Sequence, residues 1–172
     1  MKLNTFFLMG ATAIAMSSGT ANAEEANAEV IWSGLIGSSV PSDNLTITGE
    51  GGGEIASGTL FIENDGKFTS TEVILEARDY DSALETVGDR QPLATWSYIS
   101  AQVMMGGSMS YEADVAVTDQ LSGTTFTKGN FDELQTSVVA LTIKNEQPIT
   151  DIEVKGEGQV SVQMTASYED GL

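Results

Sequence analysis

The sequence contains no histidine and no cysteine. Without them the chain cannot build a Ser-His-Asp or Cys-His nucleophilic arrangement, nor a thiolate or imidazole metal site. It cannot form a disulfide either, so packing and hydrogen bonding must hold the fold alone. The length, 172 residues, allows this, since ~150 residues already bury about two-thirds of their unfolded surface. Basic residues are scarce: 7 Lys and Arg stand against 25 Asp and Glu, for a net charge of −18. Such a surface repels phosphate backbones and anionic lipid heads, which argues against nucleic-acid binding. The plain meaning of the charge is solubility and mutual repulsion.

Long apolar runs are also lacking, apart from one at the start. Lys2 opens a short positive leader, and an apolar stretch follows from Phe6 to Met16. Ser17, Ser18 and Gly19 break it, and Ala21-Asn22-Ala23 forms a small-residue cleavage site. This order is that of a secretory signal peptide, and the run is too short to span a bilayer. The expected domains are therefore a signal peptide over 1–23, an N-terminal extension over 24–36 and a single domain over 37–172. With no second long apolar stretch, the exported chain is not expected to span a membrane.

What is present is β-pattern almost throughout. Leu45 to Thr48 alternates, and "TLFIE" from Thr59 to Glu63 stops at Asn64-Asp65-Gly66. A second run starts at Lys67 and continues through Val73, Leu75 and Ala77. Asp65-Gly66 between two such runs predicts a hairpin, because both residues tolerate positive φ. Further strands are expected at Trp96–Val103, Tyr111–Thr118, Val139–Ile143, Ile152–Val154 and Val160–Tyr168. Two stretches carry weak helical signals: "NFDELQTSV", capped by Asn130 with Glu133, and "RDYDSALETVGD", closed by Gly88. Many short strands separated by turns, with one core, predict an all-β chain, an immunoglobulin-like β-sandwich.

Several stretches come near known chemical motifs. Asp65 and its neighbours lack the D-x-[DN]-x-[DN]-G spacing of a calcium loop. Asp79, Asp81 and Glu85 form an acidic cluster that reads as a solvated loop. "GEGGGEIASG" lacks the Lys and Ser/Thr of a phosphate-binding loop. Asn44-Leu45-Thr46 matches a glycosylation triplet but more simply opens a strand. No cofactor and no metal is expected, and the chain is not expected to be an enzyme.

The two ends go further. Near the start, Ala26, Ala28, Val30 and Trp32 fall on one face of an extended segment, with Ile31 the exception on the other. At the end, Val160, Val162, Met164, Ala166 and Tyr168 alternate with polar residues. That strand carries neither Pro nor Lys, the usual protection of an edge. The expectation is an edge strand covered by a neighbouring molecule: the N-terminal segment of one copy completes the sandwich of the next. A head-to-tail contact of this kind does not close and so builds a filament.

The ends resemble those of the major pilin of the common pilus, a chaperone–usher fimbrial family. The residues that carry the resemblance are Val30-Ile31-Trp32-Ser33, after a few small residues, and the terminal "GQVSVQMTASY". The resemblance implies an incomplete fold completed by a donor strand from the neighbouring subunit. It implies partners: copies of the chain itself, a periplasmic chaperone and an outer-membrane usher. Ala26, Ala28, Val30 and Trp32 would be donor-strand plugs, and Val160, Val162, Met164, Ala166 and Tyr168 the strand beside the receiving groove. The implied function is a structural subunit of a cell-surface fimbrium for adhesion or biofilm formation, exported through the periplasm. The alternatives are a self-contained secreted β-sandwich of matrix or ligand-binding type, a small carboxylate-pair glycosidase, and a tip adhesin or calcium-dependent binding domain.

Overall fold

A computed structural model describes residues 23–33 and 37–169. Residues 1–22 of the expected leader, 1–23, lie outside the described residues. The strands are β1 (Ala23–Trp32), β2 (Ser38–Val40), β3 (Leu45–Thr48), β4 (Leu60–Ile62), β5 (Phe68–Ser70), β6 (Val73–Asp81) and β7 (Thr86–Arg90). They continue as β8 (Thr95–Met105), β9 (Ser108–Ser110), β10 (Ala116–Asp119), β11 (Thr125–Phe126), β12 (Leu134–Gln135), β13 (Val138–Asn145) and β14 (Gly158–Glu169). Among the described residues the one helical piece is a 3₁₀ turn at Glu50–Gly52.

The strands form two antiparallel sheets. One runs β12-β8-β14-β1-β2, with β9 on the far part of β8. The other runs β11-β10-β13-β5-β4, with β6 also on β13 and followed by β3 and β7. Alternation explains why the sheets face each other. Val139, Leu141 and Ile143 point inward from β13, and Val73, Leu75 and Ala77 from β6, all buried. They meet Trp96, Tyr98 and Val103 of β8 and the inner face of β14 in one apolar core. An all-β chain of two facing antiparallel sheets has the layering of a β-sandwich.

The hairpin at Asp65-Gly66 forms as the sequence predicts, pairing Ile62 with Phe68 and Leu60 with Ser70. Gly66 sits at φ 88°, and a Cβ there would meet Ile149 at 2.8 Å, so this turn requires glycine on two grounds.

Four expectations are corrected. "RDYDSALETVGD" is not helical: β6 runs on to Asp81, turns, and returns as β7. The Asp81 carboxylate accepts the N–H groups of Ala83 and Leu84, an Asx turn that outcompetes a helix start. "NFDELQTSV" is not helical: it bends at Asp132, at φ 54°, with Glu133 accepting the Thr127 N–H at 2.7 Å, and then runs into β12 and the start of β13. The run from Tyr111 is strand only from Ala116, because Asp151 holds Ser110 and the Tyr111 N–H in a bend. Ile152 and Val154 form no strand; they are half-buried and pack against the core from a loop.

Candidate functional site

β14 is not an edge. Within one chain it lies between β8 and β1, which corrects the expectation of an edge strand. The reason is the N-terminal segment. β1 runs antiparallel to β14 over ten paired residues, from Ala23 opposite Glu169 to Trp32 opposite Val160. Its other side is held far less, by three pairs with β2.

The alternation of β1 matches this placement. Ala26, Ala28, Val30 and Trp32 all face the core and are buried. Across the ladder they stand opposite Ala166, Met164, Val162 and Val160, which are fully buried, while Tyr168 stands opposite Glu24. Small residues face a large one at Ala28 and Met164, which lets the two strands share one layer. Ile31, the exception in the pattern, points outward yet is 7% exposed. Its carbonyl accepts the Gly58 N–H at 3.1 Å, and the Ser33 N–H donates to the Gly58 carbonyl at 2.9 Å. The end of β1 is thus tied to the segment that leads into the opposite sheet.

Trp32 is the anchor. Its indole Nε1 donates to the Thr71 carbonyl at 2.9 Å, so its one polar group is satisfied in the core. A Cβ on Gly58 would lie 2.2 Å from the indole, so only glycine leaves room for the ring. Burying one such side chain contributes about 1.5–3 kcal/mol, before any ladder hydrogen bond is counted. Immediately after the anchor, Ser33 holds φ 93°, an unfavourable conformation for a residue with a Cβ.

A second buried feature escaped the sequence reading. Glu76 of β6 is fully buried on the outer side of its sheet, under the glycine-rich loop. One carboxylate oxygen accepts the Gly52 N–H at 3.1 Å and the Arg78 Nε at 2.7 Å; the other pairs with Arg90. Burial pushes its pKa up, but the loop N–H and the two guanidinium groups outweigh burial and bring it down to about 2. The available signal was Glu-x-Arg within a strand, which places both side chains on one face.

The acidic side chains near Asp65 and Asp79 do not converge. Asp65 pairs with Lys67 at 2.6 Å, which holds its carboxyl below the usual range. Asp79 accepts from Gln91. Among the described residues no group of three or more acidic side chains is placed to hold a metal ion. No helix among the described residues is long and apolar enough to cross a membrane.

Comparison with protein-family models, with characterised proteins and with solved structures gave no match.

Proposed function

We propose that this chain is a structural subunit of a cell-surface filament, joined to its neighbours by exchange of β1. The observation that carries the reading is the asymmetry of that strand. It supplies four buried side chains to the core, yet ten of its pairs are with β14 and three with β2. Every contact that residues 24–32 of β1 make with β14 in their own chain is available, in the same register, to the same residues of another copy. Closed monomer and joined filament would then differ chiefly in the path taken after Trp32. Ser33 favours the joined form: an extended backbone there would release a strain of about 1 kcal/mol or more.

On this reading residues 1–23 are a removed leader and 24–36 the donated extension, and the domain from 37 is an incomplete immunoglobulin-like sandwich. Export through the periplasm, a strand-lending chaperone and an outer-membrane usher belong to the same proposal, and they rest on the resemblance of the chain's ends.

The pairing of β1 within its own chain favours a second reading, a self-contained secreted β-sandwich. Electrophoresis of surface material in detergent, with and without boiling, separates the two. The filament reading predicts an unboiled ladder at multiples of one mass that collapses to monomer on heating. Disulfides cannot produce such a ladder in a chain without cysteine. A single monomer band in both lanes would leave the self-contained sandwich.

A further inference from the structure

The acids of this chain are not spread evenly. Neither β8 nor residues 158–168 of the adjacent β14 contains a charged side chain, although the whole sequence carries 25 acids. These two strands and β1 floor a trough of about 310 Å³ on the outer face of their sheet, walled by β2. Its polar lining comes from Asn27, Ser38, Ser100, Gln102, Ser161 and Gln163. Ser100 donates to Gln163 at 3.3 Å. The other four side chains bond to no described residue, so their donors and acceptors are left facing the trough. Glu29, opposite Gln163 and Ser38, adds the one carboxylate to this lining, and Val40, 67% exposed, adds an apolar surface.

We propose that this trough binds a neutral saccharide. The volume lies in the range of small-ligand sites, roughly 300–1,000 Å³. An anion is disfavoured by Glu29 and by the net charge of −18. A divalent cation would need more than one carboxylate. A wholly apolar ligand would strand the carboxamides without partners. Sugar hydroxyls both donate and accept, as carboxamides and serine hydroxyls do, and Glu29 can accept from two of them. Val40 offers a surface for the C–H face of a ring.

The proposal deepens the filament reading without depending on it. β1 supplies Asn27 and Glu29, so in an exchanged filament each trough would be built from two copies and repeated along the length. Weak single sites would then act together. In the closed monomer the trough is complete, and the test is made there.

The side-chain amide resonances of Asn27, Gln102 and Gln163 are followed by NMR while lactose, maltose and cellobiose are titrated into the folded monomer, with glucuronate as the charged control. The expected result is a saturable shift of these resonances by at least one neutral sugar at millimolar concentration, and none by glucuronate. The double variant Gln102→Ala, Gln163→Ala should bind that sugar about tenfold more weakly, a loss of ~1.4 kcal/mol. Its thermal midpoint should stay unchanged, since both side chains are exposed. Gln120→Ala, in the turn after β10 of the other sheet, should bind as the parent does. No saturable shift with any of the three sugars, or equal binding by the double variant, would overturn the proposal while leaving the filament reading standing.

Discussion

Single residues decide whether this core closes. Gly58→Ala would drive a methyl into the Trp32 indole. Overpacking of this kind costs about 1–3 kcal/mol, and the tryptophan emission should move to longer wavelength as the ring is displaced. Glu76 gives the fold an acid limit. Its folded value of about 2 lies below the ordinary 4.5. The ionised carboxylate therefore stabilises the fold above pH 4.5, and that contribution fades as pH falls from there towards 2, because protonation then favours the unfolded chain. The effect is on the order of 3 kcal/mol. Glu76→Gln, which leaves Arg78 and Arg90 without their carboxylate, should lower stability near neutral pH by about 2–4 kcal/mol. Denaturant melts of that variant should also lose most of the slope of stability between pH 4.5 and pH 2; an unchanged slope would assign the acid limit elsewhere.

Elements show how far alternation can be read and where it stops. Val139, Leu141 and Ile143, Trp96 to Val103, the Asp65-Gly66 hairpin and the terminal strand were all legible, because period-two patterning and turn chemistry are local. The buried face of β1 was legible for the same reason. The neighbours of β14 were not. Which strand lies beside it is a long-range matter, and an alternating strand looks alike at an edge and inside a sheet. The stretch "RDYDSALETVGD" reads as helical because an acidic side chain can start a helix or tie a turn, and only the return strand β7 settles which. Glu76 was missed because its partners include Arg90, which the turn after Asp81 brings back. At this scale Ser33 controls the balance between closed and joined forms. Ser33→Gly removes the strain at φ 93° and should shift that balance towards monomer by about fivefold, ~1 kcal/mol. Size-exclusion chromatography of the refolded variant reads the shift; more multimer than in the parent would contradict it.

For the whole molecule, charge and assembly are linked. The described acids sit mainly in loops, turns and outer strands, while β8 and most of β14 are uncharged. A net charge of −18 makes copies repel until salt screens them. The Debye length falls from about 30 Å at 0.01 M to about 8 Å at 0.15 M salt, so both the thermal midpoint and the yield of joined species should rise over that range. A salt-independent yield would mean that repulsion between copies does not limit assembly. The central claim, that β1 of one copy lies on β14 of another, can be tested in a chain that has no cysteine of its own. Glu29 and Gln163 are directly opposite in the β1–β14 ladder, and both are exposed. Facing strand positions lie about 4.5–5.5 Å apart at Cα, within disulfide reach. The measurement is boiled, non-reducing electrophoresis of surface material from cells producing Glu29→Cys and Gln163→Cys together in one chain. Strand exchange predicts a covalent ladder that survives boiling and collapses with reductant. Disulfide-bonded monomer alone would mean that β1 stays on its own chain, and would contradict the account.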